Sequence, residues 1–574
     1  MAIEKYCDLR VQSSSKISVR TVAKSKNGYT RYVLTRCKMA KLRHLGVMLD
    51  VSRNGVMKLD CLKEFIDILS KMGYNALELY MEDTYMVEGE PYFGYLRGRY
   101  TDEEIQEVDR YAKSKGIELI PCIQALAHYT NMAKLPFYGE IIDINDILLI
   151  DEPKTYIFLD KVFASLAKNY TSRLVNIGMD EAHMMGLGRY LQKHGYSNRQ
   201  ELFVRHLQKV IKIAEKYGFK AHMWSDMFYR LATDGNYYEP NANISPELKA
   251  LVPENVDLVY WDYYHHDKKL YDGMLQSHQT FEKNIWFAGG AWVWDGFAPL
   301  NWLSLDTMKP AFESIHENGI KDVIITLWGD DGAECSVFSV LPSLYAISQY
   351  AKGNFDGVSI AKSFAEMFGI AYDDFLTLDL PNKLYKKVVD YRGEEFAQNP
   401  CKVILYQDLF MGRYDHTIQT EEKELPYCEY KEKLAKVAEK AGEYYYLFDC
   451  MSLLCAVLEI KGKLGIKTRY FYRQKNKERL SKLLSEYEEL ESRLRAFMKA
   501  FQVRWFKENK GQGWEVQDAR LGGLIQRVKT CKARLLAYTQ GEIEKIEELE
   551  EEILPWIDGF QDNTYRYLIT TSNM

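Results

Sequence analysis

The sequence predicts a (β/α)8 barrel, with a short β segment before it and an all-helical region after it. Two observations carry that expectation. Between residues 42 and 351, eight apolar runs of strand length alternate with helical patterns, and repeated strand–helix units close into a parallel barrel wrapped by helices. Acids and tryptophans then collect where those runs end, the face on which such barrels assemble their active sites.

Residues 1–40 are too few for a domain. Within them 17–36 reads as a hairpin, with Asn27-Gly28 as a type I′ turn signal, expected to pack beside the barrel. The barrel, 41–352, has strands expected at 46–49, 76–80, 118–123, 174–179, 220–224, 256–260, 285–288 and 323–327. Helices are expected at 61–72 behind an Asp60 cap, at 102–115 up to Gly116 and at 154–166. Two more are expected at 198–217 up to Gly218 and at 305–318 up to Gly319. Thr101-Asp-Glu-Glu104 reads as a capping box and Asp151-Glu152-Pro153 as a helix start. The fifth unit is irregular, since a stretch containing Pro and Asn, 239–253, stands where its helix belongs.

Residues 353–574 read as a helical domain. No proline interrupts the chain between Pro426 and Pro555, and long helices are expected at 431–463 and 478–507. The acidic stretch 542–552 reads as a solvated helix face. Asn509-Lys-Gly-Gln-Gly-Trp-Glu515 allows two readings: a helix–helix turn with a packing Trp514, or a loop reaching over the barrel mouth to substrate.

Length and composition bound the function. A chain of 574 residues suggests roughly two to four domains. A formal net charge of −6 argues against nucleic acid or an anionic membrane as partner. The aromatic content is high, with 42 Tyr and 10 Trp, which suits stacking on sugar rings as well as core filling. The ten cysteines show no disulfide or zinc spacing, the N-terminus lacks the apolar core of a signal peptide, and no apolar run reaches ~18 residues. A cytoplasmic enzyme is expected.

The strand ends carry the chemistry. The first ends in Asp50-Val-Ser-Arg53, the second in Glu82-Asp83-Thr84-Tyr85, the third near His128 and the fourth in Asp180-Glu181. The fifth ends in Trp224-Ser-Asp226, and the sixth runs into Trp261-Asp-Tyr-Tyr-His-His266. The seventh runs into Gly289-Gly-Ala-Trp-Val-Trp294-Asp295, and the eighth closes with Trp328-Gly-Asp330-Asp331. Carboxylates for hydroxyls and indoles for apolar ring faces describe a carbohydrate pocket. The opposite strand ends are expected to carry no such set.

Asp180 and Glu181 follow an apolar strand with no cap pattern to explain them. Burying two unpaired acids there would be costly, whereas one protonated and one ionised carboxyl form an acid/base arrangement. Adjacent strand residues point to opposite faces, so both acids serve one pocket only if the backbone bends, and Gly178 provides for it.

With these residues placed, the barrel resembles glycoside hydrolase family 20, the exo-acting β-N-acetylhexosaminidases, most of all bacterial members with a C-terminal helical region. Gly46-Val-Met-Leu-Asp-Val-Ser-Arg53 looks like the family's first-strand motif, and Asn75-Ala-Leu-Glu-Leu-Tyr-Met-Glu-Asp83 like the second. Pro121 through His128, Gly178-Met-Asp-Glu181 and Trp328-Gly-Asp330 resemble the later ones. The chain departs from the pattern at Asn54, where the family commonly has His, at Met179, where Gly often precedes the pair, and at Trp294-Asp295, where a Tyr-x-Asp is usual.

The resemblance implies substrate-assisted retention, an exception to the two-carboxylate scheme. Glu181 would be acid and then base, Asp180 would orient the substrate's 2-acetamido group, and Asp83 with His128 would form a relay behind Glu181. The contact to the acetamido oxygen is open between Tyr263 and Tyr264, and Tyr263, which shares the parity of Trp261, is preferred. Trp224, Trp261, Trp294 and Trp328 would wall the pocket; Arg53 would hold O3 and O4, and Asp330, with Asp295, O4 or O6. No cofactor is implied, and the spacing of Asp262, His265 and His266 is poor for a metal. The expected partner is an N-acetylhexosamine-terminated oligosaccharide or glycoconjugate; oligomeric state is left open between monomer and homo-oligomer. Two rival readings remain, a non-catalytic amino-sugar-binding barrel and a retaining β-glycosidase with a protein nucleophile.

Overall fold

A computed structural model describes residues 17–24, 30–36, 41–294, 296–384, 399–419, 425–554 and 564–572. Eight parallel strands close into a barrel: His44–Asp50, Ala76–Tyr80, Glu118–Cys122, Leu174–Asn176, Lys220–Trp224, Val256–Trp261, Ile285–Gly290 and Asp322–Leu327. Each pairs with its sequence neighbour, and the last pairs with the first through Ile325 opposite Val47. The fourth strand is shorter than expected, because the chain turns away at Gly178 before the acids. Ile17–Lys24 and Thr30–Arg36 pair as an antiparallel hairpin; its expected Asn27-Gly28 turn lies outside the described residues.

The barrel's lower end is charged, contrary to expectation. Asp322 accepts from Arg43 and from His44 at 2.8 Å, and Lys220 lies 2.9 Å from Asp257. Burial opposes the charge on Asp322, but His44 and Arg43 outweigh it and hold the carboxyl at about 2. These groups satisfy one another and so close the floor. Above them Glu78 is bonded to His222 at 2.6 Å and to Asn176 at 3.2 Å inside the barrel.

The Thr101 capping box forms as expected. Other boundaries differ for tertiary reasons. Leu59–Met72 begins after Lys58, with Asp60 in its first turn and not at the cap. Asn301–Asn318 starts a turn early because Asp379, 77 positions away, accepts from the Trp302 amide. The helix expected at 431–463 is two, Tyr427–Ala438 and Tyr445–Arg473, separated at Gly442, whose φ is +54°. Tyr445–Arg473, Lys477–Glu508 and Trp514–Gln540 then follow one another. Leu483, Tyr487, Leu490, Leu494, Phe497 and Phe501 form the buried stripe of the second. The acidic stretch is partly paired, Arg534 reaching Glu547 at 2.7 Å. No helix among the described residues is long and apolar enough to cross a membrane.

Candidate active site

The fourth strand ends in a backbone bend that brings both acids to one cleft. Gly178, Met179 and Glu181 have φ of +69°, +77° and +50°, a left-handed conformation that side chains ordinarily avoid. A Cβ on Gly178 would lie 2.0 Å from Gln124 Oε1 and 2.9 Å from the Ile123 carbonyl. That closeness places Gln124 beside the pair.

Asp180 is buried, while the Glu181 side chain is 43% exposed. Asp180 Oδ1 accepts from Gln124 Nε2 at 3.1 Å, and its Oδ2 lies 3.1 Å from His128 Nε2, which is 4.0 Å from Glu181 Oε2. Burial raises Asp180, but the charge and hydrogen bond of His128 outweigh it and hold the carboxyl below the usual range. His128 answers in kind: burial disfavours its charge, yet Asp180 lifts it to about 9.

The cleft is small, with a cavity volume of about 100 Å³. Arg53, His128, Asp180, Glu181 and Asp330 give it polar walls, and Trp224, Trp261, Tyr263, Tyr264, Trp294 and Trp328 the aromatic ones. Trp261 stacks on Tyr263, and Tyr263 meets Trp294 edge-on. Trp328 Nε1 donates to Tyr263 Oη at 3.2 Å, which occupies a lone pair and leaves the phenol proton to be given elsewhere. Burial holds that phenol well above its ordinary value.

Arg53 is clamped in place. Asp50 accepts from its Nη1 at 3.0 Å, Glu82 Oε1 lies 3.2 Å from its Nε, and Asp330 Oδ1 lies 3.6 Å from Nη1. Its guanidinium covers the rings of Tyr80 and Trp328.

One expected contact does not form. Asp83 is bonded to Arg97 at 3.0 Å and not to His128, and it does not line the cleft. Glu82 is the second-strand acid on the site side: it touches Arg53 and Tyr80 and influences His128. Adjacent residues diverge, and Glu82, at φ +42°, takes the inward direction. Burial lifts its carboxyl to about 7 against the pull of Arg53. Asp295 lies outside the described residues.

Two site residues escape the motif reading. Asp226 Oδ2 accepts from the Glu181 amide at 3.2 Å and from Arg230 Nε at 3.0 Å. Arg230 Nη2 then lies 3.8 Å from Glu181 Oε1. Burial, with Asp180 and Glu181 nearby, raises Asp226 to about 7 despite Arg230. Asp226 and Arg230 stand at i,i+4 on a helix of five residues, Asp226–Arg230, too short to show a helical pattern in the sequence.

Trp514 begins a helix and packs against Phe501, Trp505 and Phe506, so it is not part of the cleft. The loop before it does cross to the barrel, where Lys510 N donates to the Val56 carbonyl at 2.7 Å.

The Glycosyl hydrolase family 20 catalytic domain matches residues 42–277, and the Glycoside Hydrolase 20C C-terminal domain matches 373–567. The chain belongs to glycoside hydrolase family 20. Among its relatives, Beta-hexosaminidase 3 of Arabidopsis thaliana is 24% identical over 213 residues, which are 34% of this chain and 39% of that protein. Beta-hexosaminidase of Vibrio furnissii is 27% identical over 221 residues, 30% of this chain and 36% of that protein. The match thus spans less than two fifths of either relative. Among solved structures, the beta-N-acetylhexosaminidase of Bacteroides fragilis NCTC 9343 matches at 19% identity and a TM-score of 0.45, covering 58% of this chain and 70% of that one.

Proposed function

We propose that this family 20 glycoside hydrolase is an exo-acting β-N-acetylhexosaminidase that removes terminal β-linked GlcNAc or GalNAc by substrate-assisted, retaining hydrolysis. The observation that carries the reading is the division of labour within Asp180-Glu181: a buried carboxylate kept ionised by His128, beside a carboxyl open to the cleft.

Each residue then has a task. Glu181 gives its proton to the glycosidic oxygen as the C1–O bond breaks, and the aglycone leaves as an alcohol. The substrate's acetamido oxygen attacks C1 and an oxazolinium forms. Asp180 accepts the acetamido N–H and balances the positive charge that develops there. Tyr263 donates to the acetamido oxygen, with Trp328 occupying its other hydrogen-bonding position. Water then attacks C1, Glu181 takes its proton, and the ring opens to the sugar with retained configuration. His128 holds Asp180 ionised and stands near Glu181 throughout; Glu82 replaces Asp83 as the acid behind it. Arg53 and Asp330 take the distal hydroxyls, and the tryptophans pack the ring and methyl group.

The eight free cysteines among the described residues, seven of them buried, support a reducing, cytoplasmic setting. The reading is tested with an aryl β-N-acetylglucosaminide. Chromophore release that a thiazoline inhibits is expected; no release points to a binding barrel, and release indifferent to thiazoline to a protein nucleophile.

A further inference from the structure

We infer that the C-terminal helical region positions the Arg53–Asp330 pair, and with it recognition of the sugar's distal hydroxyls; this rests on the site proposed above. Arg53 and Asp330 end different barrel strands, yet the residue after each is held by the same helix, Trp514–Gln540, and its preceding turn.

Next to Arg53, Asn54 has φ +80°. Its Nδ2 donates to the Gly513 carbonyl at 2.9 Å and to the Gly332 carbonyl at 3.3 Å. A Cβ on Gly513, whose φ is +93°, would lie 2.3 Å from the Asn54 carbonyl oxygen. Only glycine fits there.

Next to Asp330, three successive residues are left-handed: Asp331, Gly332 and Ala333, at φ +52°, +113° and +53°. Such a run is costly and persists only where surroundings over-determine it. The helical region supplies the constraint. Arg520 reaches Asp331 at 2.7 Å and Glu334 at 2.8 Å, and the fully buried Lys402 reaches the same two acids at 2.6 and 3.0 Å. Gln517 Nε2 donates to the Gly332 carbonyl at 2.9 Å. A Cβ on Gly332 would sit 2.8 Å from Arg520 Nη1. Asn54 and the glycine-rich turn ending at Gly513 thus form one device. It carries the 3.6 Å Arg53–Asp330 juxtaposition from the helices and not from the strands alone.

The test compares an aryl β-N-acetylglucosaminide with its 4-deoxy analogue on wild type, Asn54→Ala, Gly513→Ala, Arg520→Gln and Arg520→Lys. The ratio of the two kcat/KM values is read within one preparation, so a loss of folded enzyme cancels. Losing a hydroxyl bound by charged groups costs about 10–100-fold in wild type. The ratio is expected to fall below about 10-fold in Asn54→Ala, Gly513→Ala and Arg520→Gln, with Arg520→Lys between. The rate loss on replacing N-acetyl by N-trifluoroacetyl should stay as in wild type, because Asp180 and Tyr263 lie outside the device. A 4-deoxy ratio unchanged in all the variants, or both ratios collapsing together, overturns the inference. Absence of activity in wild type would overturn the proposed function instead.

Discussion

His128 lies between two carboxylates, 3.1 Å from Asp180 and 4.0 Å from Glu181. The closer contact sets the charges of the site: Asp180 stays ionised and His128 stays protonated, each holding the other. Removing one partner of such a pair strands the other without water. His128→Gln takes the cation away from the buried Asp180 carboxylate and should therefore lower kcat/KM. KM for substrate and Ki for a thiazoline should rise with it.

The same pair fixes a pH dependence of stability. His128 is raised from its ordinary 6.5 to about 9, so its contribution is complete below pH 6.5 and is lost as pH climbs through 9. Melting temperatures of wild type and His128→Gln should differ most near pH 6 and converge above pH 9. A gap that widens with rising pH would exclude the ion pair.

Asp226 runs the other way. Its carboxyl is raised from its ordinary 3.8 to about 7 by burial and by the neighbouring acids, so its cost to the fold builds as pH rises from about 4 and is complete above 7. Its Oδ1 has no hydrogen-bond partner among the described residues, and Asn can keep an acceptor at the Oδ2 position. Asp226→Asn should raise the melting temperature by a few degrees at pH 8 and by less at pH 5. Equal shifts at both values would assign the effect to packing.

Gly178→Ala tests the bend. The new methyl would meet Gln124 Oε1 and adopt a φ of +69°, costing about 1–3 kcal/mol in strain alone. Activity should fall by at least about 10²-fold, with Asp180 losing its Gln124 contact. Circular dichroism should stay that of the barrel; a variant with wild-type rates would show that the bend does not deliver the pair.

The barrel and most of the cleft were legible because they rest on local patterns. Alternating apolar runs, glycine stops and acids at strand ends all lie within a few residues of one another. What was missed depends on distant partners. Asp83 could not be distinguished from Glu82 without Arg97, fourteen positions on, which claims it. Asp379 starts the Asn301–Asn318 helix from 77 positions away. Asn54 looked like a departure from a motif, and only its contact with Gly513 explains it. The floor of His44, Arg43 and Asp322 joins groups up to 279 positions apart.

Glu181→Gln probes the acid. It should lose about 10²–10⁴-fold on glycosides with poor leaving groups and less on activated aryl glycosides, which need little protonation. An equal loss on both would remove Glu181 from that role.

The central claim is that the nucleophile belongs to the substrate and that Asp180 aims it. The direct measurement is kcat/KM for aryl glycosides whose 2-acylamido group carries zero to three fluorines, with the matching β-glucoside. The acyl oxygen becomes a poorer nucleophile with each fluorine. The account predicts a fall of on the order of 10²-fold or more from acetyl to trifluoroacetyl, and almost no cleavage of the glucoside. In Asp180→Ala the rate on the acetyl substrate should collapse as well. A flat series, or a well-cleaved glucoside, would put the nucleophile on the protein and contradict the account.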